Sequence, residues 1–156
     1  MGVGSYTSVK FYGKKEDLEK IFTYGNDADE GDFYLRVFGI DDDTFNNFTN
    51  EERRNFFEKV GINSLVQATC SAHFERRKNN PYVDINVYSV YETPIGCWEK
   101  IAEEFPEVEG FGIVIREDDY TETEGEITIK NGEFDYVTPE DMEELDYEDD
   151  EDDSHI

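Results

Sequence analysis

Basic residues are scarce beside acidic ones: 14 Lys and Arg stand against 40 Asp and Glu in 156 residues, a formal net charge of −26. The shortage excludes partners that are recognised through cations. Proteins hold DNA, RNA and anionic membranes by letting Lys and Arg displace counterions or meet headgroups, and a chain this acidic repels all three. Basic proteins are the partners it attracts. Cysteine is also scarce. Cys70 and Cys97 are the only thiols, too few for a disulfide framework or a four-ligand zinc site, so reduced structural cysteines are expected. No stretch approaches the roughly 20 apolar residues that cross a bilayer. The opening "MGVGSYTSVK" lacks an apolar signal core, and Tyr6 stands where a myristoylation pattern needs Ser or Thr. A soluble, cytoplasmic protein is the expectation.

Catalytic constellations are missing as well. There is no phosphate-cradling Gly loop, no Gly-x-Ser-x-Gly elbow and no His-Glu-x-x-His pair. Cys70 and His73 are spaced to face opposite sides of a strand, and His155 falls in the terminal acidic run. Two acidic stretches, "NDADEGDFYLR" and "DDDTFNNFTNEE", invite a calcium reading and fail it. Counting an EF-hand loop from Asp27 puts Gly31 at position 5 and Phe38 at position 12, and counting from Asp41 puts Phe45 at position 5. The chain is therefore expected to be no enzyme and to hold no cofactor and no metal.

Aromatic residues are plentiful, at 15% with ten Tyr and twelve Phe, and such rings need a core. One α+β domain over residues 1–146 is expected, with a helical insertion at about 25–63. "SYTSVKFYG" alternates as a strand with Thr7, Val9 and Phe11 inward, and "KKEDLEKIFTYG" follows as a helix with Leu18, Ile21 and Phe22 on its apolar side, stopped by Gly25. "DFYLRVFG" reads as a second strand with Phe33, Leu35 and Val37 inward. "IDDDTFNNFTNEERRNFFEKVG" reads as one or two short helices, with Thr49 and Glu52 at capping-box spacing and Gly61 at the end.

"LVQATCSAHFER" alternates so that Val66, Ala68, Cys70, Ala72 and Phe74 face the core and His73 faces out. "RRKNNP" is a turn, and "YVDINVYSVY" buries Val83, Ile85 and Val87. Thr93 and Pro94 read as an N-cap and first helical residue, before a helix with Trp98, Ile101, Ala102 and Phe105 inward that Pro106 closes. "GFGIVIRE" is predicted to turn Phe111, Ile113 and Ile115 inward, and Asn131-Gly132 signals a hairpin. Thr138 to Asp141 reads as the cap of a short acidic helix. Residues 147–156 have nothing to bury and are expected to form a disordered acidic tail.

The stretch "DINVYSVYETPIGCWEKIAEEFPEVEGFGIVIREDDYTETEGEITIKNGEF", about a third of the chain, resembles the C-terminal half of the YubB-like ferredoxin-fold family of plasmid and phage proteins. The shared features are the strand running into Glu92-Thr93-Pro94, the helix ending at Phe105-Pro106, the acidic strand after it, and the hairpin with Gly125 and Gly132. The resemblance implies a ferredoxin-like antiparallel sheet with helices packed on one face, and a mobile element as the setting, acting in the host cytoplasm. It assigns no catalytic residue.

Function is then a question about acid. Residues 138–156 hold eleven acids and no base, which leaves 29 acids against 14 bases, or −15, on residues 1–137. Tyr6, Tyr12, Tyr82 and Tyr88 suit the open face of an RNA-binding sheet, but Arg76, Arg77 and Lys78 are its only basic company, and electrostatics decides against RNA. A folded acidic domain fixes carboxylates in the dense array that mimics a nucleic acid. The predicted partner-binding residues are Glu99, Glu103, Glu104, Glu107, Glu109, Glu117, Asp118, Asp119, Glu122, Glu124 and Glu126, with Asp41, Asp42 and Asp43. On this reading the protein is a DNA mimic with an anti-CRISPR or anti-restriction role, blocking a basic nucleic-acid-binding protein of the host. The alternative is an acidic antitoxin-like or chaperone-like binder of a basic protein, working mainly through its tail.

Overall fold

The computed structural model describes residues 4–29, 31–62, 68–76, 79–90, 93–117 and 122–137. The order of elements is β1 (Gly4–Tyr12), α1 (Lys15–Gly25), α2 (Asp32–Val37), α3 (Asp42–Asn46), α4 (Asn50–Val60), β2 (Ala68–Glu75), β3 (Tyr82–Val90), α5 (Ile95–Glu104), β4 (Glu109–Glu117), β5 (Glu122–Lys130) and β6 (Glu133–Val137). The strands form one open antiparallel sheet in the order β2-β3-β1-β4-β5-β6. This α+β arrangement is compatible with a ferredoxin-like fold. The acidic helix expected from Thr138 and the tail at 147–156 lie outside the described residues, as do Asp118 and Asp119.

Alternation along the central strands decides which face is covered. Val9 and Phe11 of β1, Val83, Ile85 and Val87 of β3, and Ile127 and Ile129 of β5 are all buried on the helix side. The core centres on Trp98 of α5, whose ring lies 6.2 Å from Phe11 and 5.3 Å from Phe33 of α2. Removing these large rings from water is the main favourable term in the fold. The second face of the sheet carries no helix among the described residues.

The segment with Phe33, Leu35 and Val37 is a helix, where alternation had suggested a strand. Phe33, Tyr34, Leu35 and Val37 are all buried, so α2 is enclosed on several sides and its apolar pattern carries no period. Gly31 precedes it with φ +81, a conformation suited to glycine. Arg36 of α2 donates to the carbonyls of Thr23 (3.1 Å) and Asn26 (2.7 Å). It thereby satisfies the C-terminal end of α1, which has no basic residue in its own last turn. Gly25 serves packing more than termination: a methyl group there would sit 3.0 Å from Ala72 Cβ and 3.3 Å from Cys70 Sγ of β2.

The capping box on α4 forms as spaced, with Glu52 N donating to Thr49 Oγ1 (3.1 Å) and Thr49 N to Glu52 Oε1 (2.9 Å). Gly61 ends this helix at φ +88. α5 begins one residue later than expected, with Pro94 in the capping position. The Thr93 hydroxyl is instead engaged with that of Ser5 at 2.6 Å. At Gly96, the backbones of α4 and α5 meet. A methyl group there would fall 1.6 Å from the Lys59 carbonyl oxygen.

β4 reverses the expected facing. Phe111 and Ile113 are 49% and 37% exposed, and Ile115 lies with them, while Val114 is buried. The core-side positions that precede Val114 are Gly110 and Gly112. A methyl group on Gly110 would meet Ile129 and Phe11 at 3.2 Å, so the ring of Phe11 already occupies the space a β4 side chain would take. The Asn131-Gly132 hairpin is present, with φ +56 and +78 as a type I′ turn requires.

Two stability measurements check this packing. Gly96→Ala should cost about 3 kcal/mol or more in a urea titration, because a backbone carbonyl cannot rotate away as a side chain can. Val114→Ala should cost about 2 kcal/mol, whereas Phe111→Ser and Ile113→Ser should each cost less than about 1 kcal/mol. The opposite ranking would restore the inward reading of Phe111 and Ile113.

Candidate functional site

The acidic residues that cluster in sequence do not form one patch. Glu99 and Glu103 are exposed on α5, on the helix side of the molecule, and Glu104 beside them bonds the Tyr24 hydroxyl (2.9 Å) and Lys100 (3.4 Å). Glu107 pairs with Lys14. Asp41 accepts from Thr44 N (2.7 Å) as the N-cap of α3, which lowers its pKa, and Asp42 and Asp43 fill the first turn of that helix. These three carboxylates thus have a local structural use. Glu109, Glu124 and Glu126 lie on the other side, on the open face of the sheet. Glu117 and Glu122 are backbone register partners at the far end of the β4–β5 pair. Among the described residues, Glu99, Glu103, Glu124 and Glu126 make no ion pair.

The open face is where the structure concentrates side chains that lack a buried role. Strand register places Tyr88, Tyr6 and Ile115 in one row across β3, β1 and β4. The next rows are Asn86, Ser8 and Ile113, then Asp84, Lys10 and Phe111, then Tyr82, Tyr12 and Glu109. Aromatic rings connect across four strands: His73 to Tyr82 at 6.3 Å, Tyr82 to Tyr12 at 5.9 Å and Tyr12 to Phe111 at 6.4 Å. Tyr6 donates to Asn86 Oδ1 at 2.8 Å. The Tyr88 hydroxyl lies where a Gly4 side chain would be, 2.5 Å from its Cβ, so glycine lets this ring fold over the end of β1. Tyr6 and Tyr88 are nonetheless 38% and 46% exposed.

Carboxylates flank this strip. Glu75 and Asp84 stand on the β2–β3 side, and Glu109, Glu124, Glu126, Glu133 and Asp135 on the β4–β6 side, against two cations, Lys10 and Lys130. Seven acids less two bases leave −5 on the described part of the face. Lys10 is itself drawn over the Tyr82 ring, 4.5 Å from its centroid, and Lys130 lies 3.9 Å from Glu109. Arg76, from the basic turn, lies over Phe74 at 4.1 Å and pairs with Glu19 at 3.8 Å, so it belongs to the helix side. Sequence reasoning placed the four tyrosines on this face but left Phe111, Ile113 and Ile115 off it. The signal available was the Gly110 and Gly112 pair, which marks a strand side too crowded for side chains.

Neither thiol is poised for chemistry. Cys97 is fully buried, which pushes its pKa well up, and burial raises that of Cys70 to about 12 despite the nearby Arg36 charge. Among the described residues no group of His, Cys, Asp and Glu is arranged to hold a metal ion, and no helix is long and apolar enough to cross a membrane. No protein-family model, curated protein or solved structure matches the chain. Both cysteines should resist a disulfide-exchange reagent near neutral pH in the native protein and react only in denaturant, because little thiolate forms below the raised pKa. Rapid native labelling of Cys70 would show that its site opens.

Proposed function

We propose that the protein is a non-enzymatic nucleic-acid mimic of a phage or plasmid, ferredoxin-like in fold. It occupies the DNA or RNA site of a basic host defence protein of the CRISPR-effector or restriction type. The observation that carries this reading is that the unpaired carboxylates sit on regular structure. Glu124 and Glu126 alternate along β5, about 6.5 Å apart at strand spacing, and Asp135 faces the same way from β6. Charges fixed at such intervals meet a basic cleft without the entropy cost of ordering a flexible chain. The net charge of −26 supplies long-range attraction to that cleft.

Competition decides it. A partner recovered from host extract should release duplex DNA when this protein is added. The effect should weaken steeply as salt rises from about 50 to 200 mM, as expected when ions are exchanged at a contact. Reversing Glu124, Glu126 and Asp135 to Lys should reduce competition at least about tenfold, with the fold retained because all three are exposed. Glu99→Lys with Glu103→Lys, on the helix side, is the matched control. A partner that holds DNA and this protein together would refute the mimic.

A further inference from the structure

The open face pairs two properties that a pure charge mimic has no need to combine. Its carboxylates stand beside an exposed strip of Tyr6, Tyr88, Phe111 and Ile113, with the half-buried Ile115, Tyr12 and Tyr82 continuing it. The apolar strip is built, not incidental. Gly110 and Gly112 leave the core side of the first half of β4 without side chains, so Phe111 and Ile113 stand outward, while Val114 is buried and Arg116 follows it on the helix side. A shallow depression lined by Ser8, Lys10, Tyr12, Asp84, Phe111 and Ile113 lies at its centre. Exposed apolar strips with polar rims mark binding surfaces, where the centre supplies desolvation energy and the rim supplies orientation.

We infer that this face docks a basic segment of the partner protein in which Lys or Arg residues are interspersed with apolar anchors. The apolar side chains rest on Phe111, Ile113 and Tyr88, and the cations reach Asp84 on one side and Glu109, Glu124, Glu126 and Asp135 on the other. This deepens the mimicry reading and rests on it for the identity of the partner. Charge complementarity selects the occupant. A second copy would bring another −5 face against this one, and nucleic acid or an anionic membrane would meet the same repulsion. A basic protein segment alone satisfies both the strip and its rim.

Two synthetic peptides of equal length and lysine content provide the probe, one alternating Lys with Leu and the other Lys with Ser. The Lys/Leu peptide should bind the full-length protein at least about tenfold more tightly. In heteronuclear NMR it should shift the amides of Tyr6, Ser8, Lys10, Phe111 and Ile113, and a residual affinity should persist in high salt. Phe111→Ser with Ile113→Ser should bring the two peptides to within about twofold of each other while leaving Lys/Ser binding unchanged, because that part is ionic. Equal binding of both peptides by the parent protein overturns the apolar anchor and leaves nucleic-acid mimicry standing. Failure of DNA competition with the tenfold difference intact removes the mimic and keeps the docking face. Concentration-dependent self-association abolished by Phe111→Ser, or binding of a single-stranded oligouridine at these residues, assigns the face to another occupant and overturns the inference.

Discussion

The contact on which the arrangement depends is that of Trp98 with Phe11 and Phe33. It joins α5, β1 and α2 at one point, so three segments separated in sequence share a single core. Phe11, held there, lies against Gly110 and removes the space for a side chain at that inner position of β4, as Ser8 and Val9 do at Gly112. Phe111 and Ile113 stand on the outer face, and Val114 is buried on the inner one. A packing requirement in the core thus shapes what the protein displays to its surroundings, and the same bulk that stabilises one side of the sheet leaves apolar side chains on the other.

Charge pulls against this compactness. A body carrying −15 over residues 1–137 repels itself, and few bases are present to offset it. Several bases are placed where they act locally: Arg36 on the end of α1, Lys14 on Glu107, Lys100 on Glu104 and Arg76 on Glu19. Such exposed pairs contribute little individually. The aromatic core therefore has to carry the stability, which accounts for a ring content that would be generous in a neutral domain of this size. An acidic surface and an aromatic interior are two sides of one solution.

Much of this was legible from sequence because local signals and burial agreed. β1, the inward Cys70 with outward His73, the Thr49–Glu52 box and the Asn131-Gly132 turn each follow from a rule confined to a few neighbouring residues. The two failures share a cause. In α2, burial on several sides erases the difference between a strand and a short helix, and in β4 alternation gives the period but not which phase faces the core. Only the glycines at 110 and 112, read as crowding and not as flexibility, carried that phase. The acidic site was half legible for a similar reason. Sequence proximity from Glu99 to Glu126 gathered carboxylates that the sheet then separates onto opposite sides.

The β5–β6 hairpin has a further consequence for behaviour in concentrated solution. Without it, β4 would be an outer strand with unpaired amides beside Phe111 and Ile113, a template for strand-to-strand growth between molecules. The hairpin moves the boundary outward to β6, a short strand with Glu133 and Asp135 exposed along it. Two molecules approaching edge to edge there meet like charge before any hydrogen bond forms. Among the described residues the apolar strip is thus kept in the middle of the sheet, away from that edge.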